Sequence, residues 1–450
     1  MIVDTPEGYA TFRKETRHPT SLIVSVIPTD DDSIHTAASK LSTVLIKDAK
    51  TDKTYVFPFN HPDYTKHIDL DVFKTDLKML PAFCFDKKSA FQLIDHPEFW
   101  DIDLVTHLEH NCLIDRHETA AHKLIRQNNK NQRDINLVIP ILKHKEMFEG
   151  MCNQLRTLWQ EKNGIDKGYL KENNITIQTL AELERTGIHV NRECFKNHFP
   201  NAAVHEGDLV YSQYNVYTAT GRPSNRFDNV NYAALNKSDG VRKCFNSRFG
   251  EEGKMVLIDF SAFHPRIISY LIKFPIGIDT DIYTYLGELY FNRGVSDYDM
   301  DEIKSITMRQ FYGGVEEKYQ HIRYLSHAKE FIDKYWDDFQ KNGFIKTPVF
   351  KRIITNKHLI DANPPKVLNY ILQATETEIA TTILRTAQRF LNKYKTKAVL
   401  YTYDSILFDF YKLEQEQVLK PLIEIMRMKD KFPVKIYEGD TYDSVVQITV

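Results

Sequence analysis

At 450 residues, with 42% hydrophobic and 27% charged residues, the chain has room for two or three domains with full cores and the balance of a globular protein. A formal net charge of −2 excludes a bulk basic signature, so any nucleic acid has to be held by local patches. No apolar run reaches the ~18 residues of a membrane span and the opening M-I-V-D-T-P-E lacks a signal peptide's layout, so we expect no membrane partner and a cytoplasmic location.

Neither an internal repeat nor a low-complexity segment interrupts the sequence. Residues 1 to about 140 read as strands followed by helices. S-L-I-V-S-V-I-P, K-L-S-T-V-L-I-K and K-T-Y-V-F-P-F are strand runs, and Asp71–Met79, Lys88–Leu93 and His117–Gln127 carry helical patterns. That order predicts a layered α/β or α+β domain. Residues 135–200 read as mostly helical, with breaks near Asn163–Gly164 and Asn173–Asn174. From 208 onward we expect short strands, a strand–helix unit at 255–273, a helix-rich insertion over about 280–395 and a hairpin at 397–411. One sheet carrying a helical insertion accounts for this pattern. Cys84, Cys112, Cys152, Cys194 and Cys244 form no C-x-x-C pair and read as reduced thiols.

The chemistry-bearing residues lie in the second half. Asp259 ends the apolar run M-V-L-I-D-F-S, and Asp404 lies between two apolar runs in V-L-Y-T-Y-D-S-I-L-F, where D-S reads as a hairpin turn. Asp259 leads into S-A-F-H-P-R-I-I-S-Y-L, a helix start with a serine near the cap. Two strand-end carboxylates side by side would seat hard divalent cations. Lys304, Met308 and Tyr312 are spaced i, i+4, i+8 along one helical face, which Gly313 and Gly314 end. Asn369 and Gln373 repeat the i, i+4 spacing amid apolar residues and need polar partners. Arg222 follows the turn residue Gly221 in T-A-T-G-R-P-S-N, placed to fork to a phosphate or base edge.

Taken in order, these segments resemble the polymerase domain of family A (DNA polymerase I-like) DNA polymerases. A-E-L-E-R-T-G-I-H-V-N at 181–191 resembles the start of that domain, T-A-T-G-R-P-S the loop before the palm, and N-V-N-Y-A-A-L with V-R-K-C-F the lead into the first palm strand. D-F-S-A-F-H-P-R is similar to motif A, K-S-I-T-M-R-Q-F-Y-G to motif B, N-Y-I-L-Q to the helix after the fingers, Y-D-S to motif C and F-P-V-K-I-Y-E-G-D to the last palm strand. The resemblance covers about 60% of the chain. It implies an α+β fold: a right-hand palm and fingers with a reduced thumb, after a ribonuclease-H-like α/β domain of 3′–5′ exonuclease type. The implied limits are 1–140 for that first domain, 141–207 for a helical connector or reduced thumb, and 208–450 for palm and fingers, the fingers at about 276–368.

The resemblance further implies a template-directed DNA polymerase of compact phage, viral or mobile-element type, working by a two-metal mechanism without proofreading. Asp259 and Asp404 would hold two Mg²⁺ ions. Lys304, Met308, Tyr312, His264 and Arg266 would meet the dNTP, Arg266 as a brace. Arg222, Asn369 and Gln373 would contact primer–template DNA, and a small thumb would call for a processivity or replisome partner.

Several positions depart from the family pattern. His264 stands where motif A has the glutamate that excludes a ribose 2′-hydroxyl, and Met300 where motif B has an arginine. Met308 and Ser405 are what phage-type RNA polymerases carry at their positions. A ribonucleotide-accepting enzyme is therefore the first alternative, and a catalytically silent replication accessory protein the second. In the first domain, Ser25 and Ile27 occupy the places of the exonuclease Asp-x-Glu, leaving Asp86, Asp103 and Asp134 as remnants.

Overall fold

The computed structural model describes residues 1–16, 22–80, 82–96, 98–116, 124–125, 127–128, 134–159, 167–296 and 299–449, without the side chains of 167 and 169. Two compact units divide between Arg185 and Thr186. The helix expected at His117–Gln127 and the break at Asn163–Gly164 fall largely or wholly outside the described residues.

In the first unit, β1 (Leu22–Pro28), β2 (Leu41–Asp48), β3 (Lys53–Pro58), β4 (Ala82–Cys84) and β5 (Trp100–Asp101) form one sheet in the order β3-β2-β1-β4-β5. β1 pairs antiparallel with β2 and parallel with β4, which pairs parallel with β5. Apolar residues on both faces of β1 explain its near-continuous hydrophobic run. Leu22, Val24 and Val26 join one core with Phe12 of α1 (Pro6–Glu15), Phe73 of α2 (Leu70–Lys78) and Leu93 of α3 (Lys87–Ile94). Ile27 joins another with Ile102 of α4 (Ile102–His110) and Phe148 and Met151 of α5 (Ile141–Leu158).

Asn173 and Asn174 do not break a helix: both lie inside α6 (Lys167–Thr186). Asn174 is buried, and its amide both accepts from Asp101 N (3.0 Å) and donates to Phe99 O (2.9 Å). Those bonds offset the modest helix propensity of asparagine.

The second unit opens with the short pair β6 (Ile188–His189) and β7 (Leu209–Val210), separated by α7 (Arg192–His198). A three-stranded sheet of β8 (Tyr214–Asn215), β9 (Ser224–Phe227) and β10 (Val230–Asn231) follows. The main sheet comprises β11 (Gly253–Phe260), β14 (Lys397–Thr402), β15 (Ser405–Tyr411), β16 (Val434–Gly439) and β17 (Val446–Ile448), in the order β14-β15-β11-β16-β17. β11 is central and antiparallel to both neighbours. The run F-P-V-K-I-Y-E-G-D is not the last strand, because β17 pairs along its outer edge.

Between β11 and β14 the chain runs through α8 (Phe263–Leu271), α9 (Ile282–Phe291), α10 (Met300–Gly313), α11 (Arg323–Asn342) and α12 (Pro364–Leu391). Within this insertion, β12 (Phe344–Lys346) and β13 (Ile353–Thr355) pair as a hairpin that the helical pattern hides. Prolines at its first two positions and an Asn363 cap onto Lys366 N start α12. This helix packs against α8, α10, α11 and α13 (Gln415–Arg427), making it the spine of the unit.

The cysteine expectation needs one correction. Cys194 and Cys244 are joined as a disulfide, 50 residues apart in sequence, with Cα atoms 5.3 Å apart. Spacing rules cannot detect a pair brought together only by packing. Cys84 and Cys152 are free and buried, whereas free Cys112 is exposed.

Candidate active site

The site grows from one register. Asp259, next to last on β11, faces Ser405 of β15 and Lys435 of β16. Phe260 N donates to Asp404 O at 2.8 Å, so Asp404 stands beside the end of β11. The β14–β15 connection is a two-residue turn of Tyr403 and Asp404, one position earlier than the D-S turn read from sequence. Tyr403 takes the positive φ of 59°, a left-handed conformation that costs a non-glycine residue about 1–2 kcal/mol. The Arg222 guanidinium lies 3.7 Å above the Tyr403 ring, a cation–π contact that helps offset this strain.

Asp259, Asp404, Arg222, His264, Lys304, Met308 and Glu376 all line one cleft of about 660 Å³, with Lys435 and Tyr437 from β16 and Asp281, Tyr283 and Met300 from the insertion. Burial first, and then the neighbouring Asp404 charge, push the Asp259 carboxyl up to about 7, against the pull of Lys435 and Lys237. Asp404 reaches the solvent of the cleft, yet surrounding protein and then the Glu376 carboxylate still raise its proton affinity. Such crowded carboxylates invite a cation. The oxygen-only donors of Asp259 and Asp404 suit a hard divalent ion such as Mg²⁺.

Glu376 is the residue that sequence reading missed. It is only 3% exposed, and its two oxygens lie 2.9 Å from Arg222 Nε and 3.4 Å from His264 Nε2. The available signal was periodicity: Asn369, Gln373 and Glu376 follow i, i+4, i+7 on α12. His264 Nδ1 also meets the Tyr312 hydroxyl, which ties the start of α8 to the end of α10.

The other expected residues divide. Lys304 and Met308 face the cleft, and Lys304 Nζ stays half-exposed at 3.7 Å from Asp301. Tyr312 joins through His264 rather than by lining the cleft. Gln373 Nε2 donates to Asn369 Oδ1 at 2.9 Å, and the half-buried pair does not line the cleft.

Arg266 turns away from the cleft: it is buried, donating to Gly277 O at 2.9 Å and to the carbonyls of Ile276 and Thr280. It braces the turn ahead of α9 and is not presented to a nucleotide. Ser261 does not cap α8 either, because Ala262 takes the cap position without a side-chain bond.

A second brace holds the Arg222 loop. Arg352 Nη1 donates to Thr218 O (3.0 Å) and Ala219 O (3.2 Å), and a Cβ on Gly221 would come within 2.7 Å of the Arg352 guanidinium. Glu378 of α12 accepts from Thr347 (2.5 Å) and Phe350 N (2.9 Å), fixing the hairpin that carries Arg352. Burial pushes the Glu378 carboxyl up to about 7 despite these bonds.

In the first unit, Ser25 and Ile27 are buried on β1, a strand without a carboxylate. Asp86 and Asp103 share a cluster with Asp101, whose carboxyl is pushed up to about 7, mainly by burial and then by Asp103. Capping explains much of this cluster: Asp86 caps α3, and Asp101 caps α4 while accepting from Lys87 N. Asp134 sits at the N-cap of the short helix Ile135–Val138.

Among the described residues, no helix is long and apolar enough to cross a membrane. No protein-family model and no curated protein matches the chain. Among solved structures it is similar to the POL domain of Pol1 from M. smegmatis, in complex with DNA primer-template and dNTP, at a TM-score of 0.69. That likeness covers 99% of this chain and 100% of the other at 15% identity, and it is a likeness of fold: the chain has the fold of a polymerase domain.

Proposed function

We propose that the chain is a template-directed DNA polymerase that adds dNTPs to a primer 3′-hydroxyl. The observation carrying this reading is that Asp259 and Asp404 face one cleft from adjacent strand ends, opposite Lys304 of α10. The fold shared with a POL domain bound to primer-template and dNTP supports it. We assign palm and fingers to 208–450, with fingers at about 276–368, 141–207 to a helical connector or reduced thumb, and read residues 1–140 as a 3′–5′ exonuclease-like domain that does not proofread. The absence of carboxylates from β1 supports that last assignment.

Asp259 and Asp404 would hold two Mg²⁺ ions, which when bound lower the pKa of the primer hydroxyl and neutralise the leaving pyrophosphate. Lys304 places a positive charge where the triphosphate lies, an electrostatic contribution worth about 2–4 kcal/mol. Met308 and Tyr312 continue its face toward the base. Glu376 fixes Arg222 and His264 in place, Arg222 for the primer–template and His264 beside the incoming sugar. Asn369 and Gln373 offer amides to the duplex by exchanging their mutual bond.

Primer extension on a defined template, with Asp259→Ala and Asp404→Ala as controls, tests the assignment. Activity surviving in both variants rules it out. One observation favours a second reading, a ribonucleotide-accepting polymerase: His264 stands where the family has its sugar-excluding glutamate, and it is held by Glu376 and Tyr312. Incorporation of dNTPs and rNTPs by wild type and His264→Glu separates the two, and strong rNTP exclusion by the wild type removes the second.

A further inference from the structure

Away from the cleft, three ligating side chains converge. Cys194 and His198 are one turn apart on α7, and Cys244 ends the short helix Val241–Cys244. Their sulfur and ring nitrogen atoms all lie within 4.8 Å of one another. We propose that Cys194, His198 and Cys244 form a metal site that takes one thiophilic divalent ion, zinc in the first instance.

The Cys194–Cys244 bond must first be reduced and its sulfurs move apart by roughly 1.5–2 Å to share an ion, a shift the rotamers of two adjacent side chains can supply. Zinc binds thiolate sulfur at about 2.3 Å and imidazole nitrogen at about 2.0–2.1 Å, and Cys₂His with an open fourth position is an established donor set. The protein backbone holds the site together independently of any ion. Asn191 caps α7 through Cys194 N (2.9 Å), Asn191 N donates to Cys244 O (2.7 Å), and Val190 bridges Phe245.

A disulfide needs only the two sulfurs and gives no use to a histidine one turn away on the same face. The closeness that lets Cys194 and Cys244 bond when oxidised lets them act as paired thiolates when reduced. Binding then exchanges two thiol protons for one Zn²⁺, with no change of oxidation state. Cys244 lies in the core and His198 is exposed, so the fourth position opens to water. The site would clamp α7 to the turn that leads into β11, adding stability without entering the reaction.

The test uses the full chain purified in a phosphine reductant without chelator, with zinc counted by plasma mass spectrometry. One zinc per chain is expected, and loading with Co²⁺ should give thiolate-to-cobalt charge-transfer absorption. Cys194→Ser and Cys244→Ser should lose the ion. His198→Ala, at an exposed position, should weaken binding about tenfold or more; a structural disulfide would be indifferent to it. An Asp259→Asn/Asp404→Asn double variant should keep its zinc, separating this site from the cleft whatever the enzyme's activity. Wild-type protein that takes up no zinc from micromolar solution overturns the proposal. So does His198→Ala binding as tightly as wild type, or a disulfide that survives the reductant in peptide mapping.

Discussion

Replacing Asp259 with asparagine should make the metal-free protein more stable, by an amount that grows as pH rises from about 4 to 7 and is full above that. In the folded chain the Asp259 carboxyl is pushed up to about 7 by burial and by Asp404, against 3.8 for an ordinary aspartate. The native state therefore keeps a proton that the unfolded chain has released between about pH 4 and pH 7. Wild-type stability falls as pH rises through that window, and the full cost is present above it. Taken at face value the displacement is worth about 4 kcal/mol. Asp259 borders an open cleft, and solvent there reduces the repulsion, so we expect about 1–2 kcal/mol for Asp259→Asn. In a unit of this size that raises Tm by about 2–4 °C. The assay is thermal melting of both proteins in EDTA at pH 5 and pH 8. Asparagine should be stabilising at pH 8 and clearly less so at pH 5, and saturating Mg²⁺ should reverse the order by stabilising only the wild type. A variant less stable than wild type at pH 8 in EDTA, or an equal gain at both pH values, refutes the reasoning.

Glu376→Gln removes the charge that helps raise the Asp404 proton affinity, so the acid limb of the pH–rate profile should move to lower pH by up to about one unit. An unmoved limb would show that Glu376 acts only as a tether. Gly221→Ala combines a φ of +73° with a Cβ 2.7 Å from Arg352, and should cost about 2 kcal/mol in a denaturant melt. Arg352→Ala leaves the carbonyls of Thr218 and Ala219 without that donor and should weaken primer–template binding several-fold, read by fluorescence anisotropy at fixed salt. Lys304→Gln should lower kcat/KM for nucleotide addition about a hundredfold, and steady-state kinetics with retained duplex binding would check this.

What was legible in the sequence was what short-range periodicity encodes. The apolar run ending in Asp259 is the central strand of its sheet, and the hairpin around Asp404 lies beside it as expected. Lys304 and Met308 share the cleft-facing side of α10. The misses have long-range causes. Pairing of Thr402 with Ser405 sets the turn one residue earlier than expected, leaving Tyr403, under the stacked Arg222, with a backbone angle unfavourable to its type. Asn173 and Asn174 looked like breakers, yet the bonds Asn174 makes to Asp101 and Phe99 hold it inside a helix. Arg266, expected beside the nucleotide as a brace, gives its donors to the carbonyls of a loop further along the chain, a pairing no spacing rule encodes. Glu376 carried a readable spacing, but its partners Arg222 and His264 lie far from it in sequence and meet it only in the fold.

In the proposed reaction the oxygens of Asp259 and Asp404 act together on Mg²⁺ during nucleotide addition. Single-turnover extension of a defined primer–template, titrated with Mg²⁺ for wild type, Asp259→Ala and Asp404→Ala, tests it most directly. Wild type should show Mg²⁺-dependent addition, with a loss of at least about a thousandfold in each variant while the duplex stays bound. Extension by both variants near the wild-type rate, at any Mg²⁺ concentration, would contradict it.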